Sequence, residues 1–584
     1  MGQSFRFSPS PNRASEINWL SWGQEAFAEA GRSDKPILLC LTSVWCQWCS
    51  QMDATTYSDP VRIAFINQHF IPIRVDADRY PHVQEQYIAT GWPTNAFLTP
   101  TGEVLWSGTY IPPDQFDAVA EGVRSAWADR RAELGAEIER RRKALDAARG
   151  RIAAVGIVRR EAADDVWTSI LESYDPRNGG FGTAPKYPAP EAVELLFIRA
   201  AEDPERANRM AAHTLDGMIA GELWDSVGHG FFRYALEADW TEPQSEKLLP
   251  VNAALLRAYA LGAHLLGRAD WRTTAERIVE FADRTFRLDN GLWASSQAAA
   301  PEYSRASAAE RATLEAPPVD ATVYTSTNAQ WMRALADAGA RLGKSEWIAT
   351  AERGLERLLD EMAAPNGLLY HYCEPGSDPQ LPYLLIDVAE AARACVSLAQ
   401  AAGNRRYLER AQQLVSAIEQ SFWADAGGFY DRIRTDHDVG VLRYRDRPFD
   451  INADVSRLLI DLTLATGQRN YRALAERTLA LLSPLAGRFG VGGANFAIAV
   501  QEFYEAPVQV FVVGAGARVA ELRRAALALP TASLRVWPLP QGGRVGTQTL
   551  PLRAEPAAYV VGTHGAAAPV TDPAALAAAV ADVG

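Results

Sequence analysis

The stretch that decides the fold of the N-terminal region is ILLCLTSVWCQWC, residues 37–49. It opens with a short apolar run after Lys35-Pro36, which predicts a buried strand. Two cysteines, Cys46 and Cys49, follow the strand and are separated by two residues. Because the chain has only 5 cysteines in 584 residues, this spacing favours a functional pair over a coincidence.

Helices and strands alternate on both sides of this stretch. The apolar spacing from Ile17 to Ala30 predicts an amphipathic helix before it, and a second apolar strand is predicted at 70–76. Farther on, Trp92-Pro93-Thr94 leads into a predicted hairpin with strands at 95–98 and 103–107. This order of elements predicts an α/β domain.

The long region that follows is predicted to be helical and repeats the pattern Gly-x-x-x-[Trp/Tyr]-x-x-x-Ala. The glycine ends one amphipathic helix, the aromatic residue packs inside the hairpin, and the alanine lets the next helix approach closely. Six such helix pairs closing into an α/α toroid would fit between about residues 155 and 500. The four clear copies begin at Gly267, Gly343, Gly403 and Gly467.

The last 80 or so residues change character again. An apolar strand at 508–513 precedes a helix at 519–527, and further strands are predicted near 534–537 and 559–561. Gly514-Ala515-Gly516 follows the first strand, but no third glycine arrives at the spacing of a dinucleotide-binding loop. We therefore expect a small α/β segment, and we expect no cofactor and no resident metal.

Together these patterns predict a multi-domain chain with four parts. They are an α/β domain at 1–125, a helical linker at 126–154, an (α/α)6 barrel at 155–505 and a small α/β C-terminal segment at 506–584.

Composition narrows the possible partners. The formal net charge of −13 argues against nucleic acid and against an anionic membrane surface, since both require a basic face. No uninterrupted apolar stretch approaches the ~20 residues of a membrane span. The polar start, Met1 to Arg13, lacks the order of a secretion signal, so we expect a cytoplasmic protein. The expected partner is a protein thiol or disulfide client, or a small molecule such as a sugar.

The cysteine pair has the spacing of a redox site. Cys46 is predicted in the first turn of a helix, where free N–H groups and the helix dipole stabilise a thiolate. Cys49, one turn farther, can then attack a mixed disulfide. Zinc is the alternative, but there is no second cysteine pair, and His69 and His82 lack ligand spacing. The three other cysteines are interpreted as buried apolar residues: Cys40, Cys373 and Cys395.

The residues around this pair resemble the thioredoxin fold in three places. These are Val44-Trp45-Cys46-x-x-Cys49, the strand ending in Val75-Asp76, and Trp92-Pro93-Thr94 before a strand. The resemblance implies that Pro93 is a cis proline facing the cysteines. It also implies a thiol-disulfide oxidoreductase or redox sensor with Cys46, Cys49 and Pro93 at its site.

Longer motifs resemble one family in particular, the spermatogenesis-associated protein 20-like family. That family joins a thioredoxin-like domain to a six-hairpin α/α barrel, and the resemblance extends through nearly the whole chain. The matching motifs include Asn18-Trp19-Leu20-Ser21-Trp22-Gly23, Gly108-Thr109-Tyr110-Ile111-Pro112-Pro113, Gly179-Gly180-Phe181-Gly182, Gly228-x-Gly230-Phe231, Glu246-Lys247-Leu248-Leu249 with Asn252, and Val319-Asp320 with Tyr324 and Asn328.

The chain departs from the family pattern at several positions. Gln244 and Val251 stand where the family commonly has a histidine and an aspartate, and Ser296-Gln297-Ala298-Ala299-Ala300 replaces an expected acidic Ser-Gln-Asp-Ala-Asp segment. Ser50 replaces the histidine after the second cysteine. These losses lower the expectation of catalysis in the barrel, whereas the cysteine pair is intact.

Barrels of this class often process carbohydrates with carboxylates or histidines on loops at one end. Aromatic turns such as Phe429-Tyr430 could stack on sugar rings. The alternative is that the same polar residues cap helices and hold loops. Three functions therefore stay open: a thiol-disulfide oxidoreductase or sensor, a sugar epimerase, isomerase or hydrolase, and a non-catalytic binding scaffold. The candidate barrel residues are Asp225, Glu246, Asp320, His371, Asp387 and Asp431.

Overall fold

A mixed four-stranded sheet is the centre of the first of two units into which the chain divides. The structure, a computed structural model, describes residues 5–8, 11–88, 91–151, 156–201, 203–436 and 438–584. The first unit comprises Met1–Ala154, Gln297–Ala300 and Arg432–Asp446, and the second comprises Val155–Ser296, Pro301–Asp431 and Arg447–Gly584.

The first unit has the predicted thioredoxin-like fold. In its sheet the strand order is β2-β1-β3-β4, with β1 parallel to β2 and the other pairs antiparallel. The peptide bond before Pro93 is cis, as the resemblance implied. The strands are β1 Ile37–Thr42, β2 Ile71–Asp76, β3 Thr94–Leu98 and β4 Val104–Gly108, and the helices are α1 Gln24–Ser33, α2 Gln47–Ala54, α3 Pro60–His69, α4 Pro81–Tyr87, α5 Pro113–Asp129 and α6 Arg131–Arg151.

Both faces of this sheet are covered by apolar cores. Every residue of β1 is buried, and its side chains alternate between the two sides because a strand has a period of two. Leu39 and Leu41 pack in one core and Leu38 in the other. The first core also takes in Leu442, from the segment 432–446, which therefore belongs to this unit through packing and not through chain order.

The second unit is built on a closed ring of helices. The inner helices α8, α10, α14, α16, α18 and α20 each pack on the next, and α20 packs back on α8. This closure confirms the predicted six-hairpin α/α toroid. Its helices, alternating outer and inner, are α7 Arg160–Ser173, α8 Pro190–Ile198, α9 Pro204–Ala220, α10 Leu249–Leu266, α11 Ala269–Thr285, α14 Thr325–Leu342, α15 Ser345–Glu361, α16 Leu385–Ala402, α17 Arg405–Phe422, α18 Phe449–Thr466, α19 Arg469–Leu482 and α20 Ala494–Tyr504. Shorter elements lie in the connections: α12 Pro301–Arg305, α13 Ala308–Arg311, β5 Tyr234–Ala235, β6 Pro243–Gln244, β7 Lys247–Leu248, β8 Ser296–Gln297, β9 Val319–Asp320, β10 Val323–Tyr324 and β11 Tyr372–Cys373.

The repeated glycines end four of the inner helices. Each has a left-handed backbone, with φ between 66° and 72°, which a residue without Cβ adopts most readily. They are Gly267, Gly343, Gly403 and Gly467.

An asparagine near the start of three inner helices clamps the preceding turn. Oδ1 of Asn328 accepts the N–H of Trp293 at 2.9 Å, and its Nδ2 donates to the carbonyls of Trp293 at 2.9 Å and Tyr324 at 3.1 Å. Asn252 and Asn452 make the equivalent three contacts in their own hairpins. These side chains make hydrogen bonds to buried backbone N–H and C=O groups that have no partner within the helix or the turn.

The C-terminal residues form a small sheet that packs within the second unit. Its order is β13-β12-β16-β17, and a separate hairpin, β14 with β15, was not predicted from the sequence. Among the described residues, none of the helices combines the length and apolar character needed to cross a membrane. The elements are β12 Gln509–Val513, α21 Ala517–Leu527, β13 Arg535–Leu539, β14 Gly542–Val545, β15 Gln548–Pro551, β16 Ala557–Gly562, β17 Gly565–Ala566 and α22 Leu576–Val583.

Candidate active site

The two cysteines lie where β1 leads into α2. Cys46 is the N-cap of α2, one position before the first turn in which the sequence placed it. Its Sγ accepts the backbone N–H of Cys49 at 3.1 Å. A sulfur at this position faces the unpaired N–H groups and the positive end of the helix dipole, which favour an anion. The N-cap position therefore gives the Cys46 sulfur a backbone donor from the first turn of α2.

The second cysteine differs from the first in its protonation. Burial raises the pKa of the Cys49 thiol well above its usual value, and the hydrogen bond with Cys46 adds to this effect. Cys49 is therefore a thiol at neutral pH. This asymmetry is what an attacking and a resolving cysteine require.

Aromatic side chains surround the cysteine loop. Trp45 donates from Nε1 to Oδ2 of Asp78 at 2.8 Å, and its ring meets that of Trp92 edge-on at 5.6 Å. Trp48, between the cysteines, is 40% exposed and lies 5.2 Å from the ring of Tyr110. The contacts of Trp45 therefore hold the loop in place, and the exposed ring of Trp48 offers an aromatic surface beside it.

A buried ion pair anchors the helix that carries the cysteines. Both oxygens of Asp53 on α2 accept hydrogen bonds from the guanidinium of Arg74 on β2, at 2.9 and 2.8 Å. Each side chain is only 3% exposed. Cys40 lies in the same core, where burial raises its pKa to about 12 and keeps it inert. This agrees with its interpretation as an apolar residue.

The segment 297–300 lies beside the cysteine loop. The N–H of Ala299 donates to the carbonyl of Trp45 at 3.0 Å, and both residues belong to the first unit. From the sequence, the absence of acidic residues at Ala298 and Ala300 was interpreted as a loss from the barrel. That interpretation was wrong about the place, because this segment packs next to the residue before Cys46.

Asp225 lies in an ion cluster in the second unit. Its Oδ2 accepts from Nζ of Lys247 at 2.6 Å and from Arg311 at 2.8 Å, and Oδ1 accepts the N–H of Gly228 at 2.9 Å. Burial opposes ionisation of Asp225, but the two cations outweigh it and lower its pKa to about 2. Burial also lowers the pKa of Lys247 to about 8. This pairing matches the alternative in which the carboxylate holds loops together.

Glu246 has a different environment. Its Oε1 accepts from Arg233 at 2.8 Å, whereas Oε2 is buried and accepts no hydrogen bond from the described residues. Burial raises its pKa, so this carboxyl retains a proton more readily than an exposed one. Arg233 lies over the ring of Tyr234, which stacks on the half-exposed Tyr187 at 4.4 Å. A line of contacts therefore leads from the surface to the carboxyl group.

The remaining barrel candidates have local hydrogen-bond partners of their own. Nδ1 of His371 lies 3.0 and 2.9 Å from the two oxygens of Asp387, whose Oδ1 also accepts the N–H of Ser326. Asp320 accepts from the N–H and hydroxyl of Thr322, which shapes its own turn.

Asp431 is buried, and its backbone carbonyl accepts the N–H of Leu385 at the start of α16. The neighbouring Phe429 does not offer a face for a sugar, because it is buried against Trp423 at 5.0 Å. The expectation for Cys373 also needs correction. It is half-buried, and its thiol lies 3.2 Å from the carbonyl of Ser377, because β11 is a short strand in a connecting loop and not in the core.

Two features were missed from the sequence. Lys247 was quoted as part of a motif but not as the buried partner of Asp225, although Lys in an otherwise buried strand is a signal of a paired charge. A group of arginines on the inner helices, whose side chains line one cavity, was also not predicted from the sequence. For metals, no cluster of three or more His, Cys, Asp or Glu side chains that could hold an ion occurs within the described part of the chain.

Comparisons with known proteins find similarity over parts of the chain. A family model named Thioredox_DsbH and described as "Protein of unknown function, DUF255" matches residues 10–146. Spermatogenesis-associated protein 20 from Homo sapiens is 32% identical over 304 residues, and its Mus musculus counterpart is 32% identical over 305. Each match covers 48% of this chain and 38% of the relative, so the chain spans well under half of those proteins. These matches confirm the resemblance to that family.

Solved structures similar to part of the chain include two sugar-converting enzymes. A D-mannose isomerase is 13% identical, covers 54% of this chain and 83% of its own, and gives a TM-score of 0.44. A cellobiose 2-epimerase from Bacillus thermoamylovorans is 11% identical, covers 55% of this chain and 85% of its own, and gives a TM-score of 0.45.

Proposed function

We propose that this chain, a relative of the spermatogenesis-associated protein 20 proteins, is a thiol-disulfide oxidoreductase in which Cys46 attacks and Cys49 resolves. The observation that carries the proposal is the 3.1 Å hydrogen bond from the Cys49 N–H to Sγ of Cys46 at the helix N-cap. The raised pKa of Cys49 supports the assignment of roles, because it keeps Cys49 a thiol while the exchange begins at its neighbour.

The proposed reaction begins with the thiolate of Cys46. It attacks one sulfur of a client disulfide, so that a bond from Cys46 to that sulfur forms and the client S–S bond breaks. The released client sulfur takes a proton from solvent. Cys49 then loses its proton and attacks Cys46, which frees the second client thiol. Two electrons have passed to the client, and the Cys46–Cys49 disulfide is reduced again by an external dithiol.

The neighbouring groups have defined parts in this proposal. Trp48, exposed beside the sulfur, offers a flat apolar surface to a client chain. Trp45, held by Asp78, keeps the loop before Cys46 in place. A redox sensor would use the same two sulfur atoms but would exchange with a small oxidant or thiol in place of a protein client.

Reduction of insulin disulfides by the full-length protein tests the proposal. With dithiothreitol as the external dithiol, the wild type should accelerate insulin precipitation and Cys46→Ser should not. Cys49→Ser should retain the first attack and accumulate a mixed disulfide that mass spectrometry detects. Cys395→Ser is the matched control, because Cys395 is fully buried on α16. A wild type no faster than dithiothreitol alone would rule out the reductase.

A second candidate function rests on Glu246. Glu246 is a buried carboxyl that retains its proton more readily than an exposed one, as a general acid must, and contacts lead from it through Arg233 and Tyr234 to the exposed ring of Tyr187. The proposed activity is epimerisation, isomerisation or hydrolysis of a sugar. NMR spectra of a broad sugar panel should then change with the wild type and not with Glu246→Gln. Unchanged spectra throughout would leave the barrel as a binding scaffold.

A further inference from the structure

A polar cavity of about 110 Å³ lies inside the second unit, at the C-terminal halves of the inner helices. The C-terminal segment contributes residues between Leu527 and Val536 to its lining. A single water needs only about 10 to 15 Å³ on this scale, so the cavity holds several waters or one small ligand. Six arginines and four carboxylates line it, and the arginines are Arg257, Arg333, Arg341, Arg393, Arg457 and Arg535.

Four of these arginines have two polar partners each. Arg535, for example, donates to Asp461 at 2.7 Å and to Glu502 at 2.8 Å. Arg257, Arg393 and Arg457 likewise each donate to two acceptors on neighbouring helices or on their own. Their charges are compensated within the protein.

The other two arginines are not compensated in this way. The shortest charged contact of Arg333 is Oε2 of Glu390 at 3.9 Å, beyond hydrogen-bond distance. Arg341 makes one long contact, at 3.4 Å, to the carbonyl of Asp337. Burial and the neighbouring arginines lower the pKa of Arg333 to about 9, and burial lowers that of Arg341 as well. Both guanidinium groups are thus partly buried cations that line the cavity, and no hydrogen bond shorter than 3.4 Å to the described residues holds either of them.

Their placement directs both groups to the same cavity. Arg333, Asp337 and Arg341 occupy positions i, i+4 and i+8 of α14, which lie on one face of a helix. Both arginines line the cavity, and their Cα atoms are about 12 Å apart along the axis. Two arginine side chains can bridge that distance through a shared ligand. A guanidinium presents its donors as a planar fork, which matches the oxygen atoms of carboxylates and phosphates.

We propose that this cavity binds a small oxyanion, held by Arg333 and Arg341. The ligand carries either one phosphate-like group or two carboxylates, since both present paired oxygens to the two forks. This binding site is separate from the cysteine pair and does not depend on the redox proposal. It is also distinct from the acidic candidates, because the cavity is lined by the C-terminal halves of the inner helices, whereas Asp387 lies in the first turn of α16.

Isothermal titration calorimetry on the full-length protein tests the site with inorganic phosphate, sulfate and succinate at constant ionic strength. At least one probe should bind saturably, and the same probe should raise the midpoint temperature of thermal unfolding. Arg333→Gln and Arg341→Gln should each weaken binding at least tenfold, because each substitution removes the charge-assisted hydrogen bonds of one guanidinium group. Phosphate and sulfate binding without succinate would identify a phosphate-like ligand, and the reverse a dicarboxylate.

The matched control is Arg353→Gln on α15, an exposed arginine whose side chain contacts Thr350. It changes the net charge equally and should bind as the wild type does. Circular dichroism shows whether each variant is folded. If Arg333→Gln does not fold, the titrations of Arg341→Gln and of the wild type still test the proposal. The proposal is overturned if no probe binds up to about 10 mM, or if both variants bind as tightly as the wild type.

Discussion

Removing Asp53 should destabilise the thioredoxin-like unit strongly. The substitution Asp53→Ala leaves the guanidinium of Arg74 buried at 3% exposure without its two carboxylate acceptors. Breaking a buried pair in this way costs about 3–5 kcal/mol. At about 1.4 kcal/mol per factor of ten, exchange of the protected amides in β1 and β2 should accelerate by two to three and a half orders of magnitude.

Hydrogen exchange followed by mass spectrometry measures this locally, so that the second unit does not obscure the result. Asp117→Ala is the control, because Asp117 is 54% exposed where it pairs with Arg62 and should cost about 0–1 kcal/mol. The double variant Asp53→Leu/Arg74→Leu removes both charges and should recover most of the loss. The reasoning fails if Asp53→Ala exchanges within a factor of ten of the wild type, or if the double variant is no better than the single one.

Three further outcomes follow from the site geometry. Brief iodoacetamide treatment at pH 8 should label Cys46 before Cys49, because the raised pKa keeps the latter a thiol; equal labelling would contradict this asymmetry. Since the folded pKa of Asp225, about 2, lies below its unfolded value, its ion pairs stabilise the fold above about pH 4 and are lost toward pH 2. Asp225→Asn should therefore unfold at lower urea at pH 7 and lose that part of the acid dependence, and an unchanged acid profile would count against it. Asn328→Ala should cost about 2–4 kcal/mol in urea unfolding, well above Asn366→Ala in an exposed turn, and equal losses would refute the clamp.

The features predicted correctly from the sequence are those with local physical causes. The four repeated glycines predict helix ends, and the structure gives each a left-handed backbone there. The apolar run at 37–41 predicts a buried strand, and β1 is buried along its whole length. In both cases the residues within one turn or one strand determine the conformation, so neighbouring sequence is sufficient.

The features that were missed depend on long-range packing. Nothing near Ala298 in the sequence indicates that its segment belongs with the cysteine loop, because the surrounding residues belong to the toroid. The hairpin of β14 and β15 was missed for another reason. Its strands have four residues each and are partly exposed, so they carry little apolar periodicity.

The arginines that line the cavity could have been found from the spacing of charged residues on α14. Arg333, Asp337 and Arg341 recur every four residues on α14, and this stripe lies on a helix whose other faces are strongly buried. A charged stripe usually indicates a face toward bulk solvent, but here the stripe lines a cavity between the inner helices. The same pattern on a helix of the inner ring therefore indicates a polar interior.

Each candidate site draws its residues from one unit only. Cys46, Cys49 and the segment that contacts their loop belong to the first unit, whereas Arg333 and Arg341 belong to the second. Neither site borrows a side chain from the other, so a cysteine substitution should leave oxyanion binding unchanged, and an arginine substitution should leave insulin reduction unchanged. Coupling in either direction would instead require a conformational link between the units, since only a difference in ligand affinity between two states can transmit such an effect.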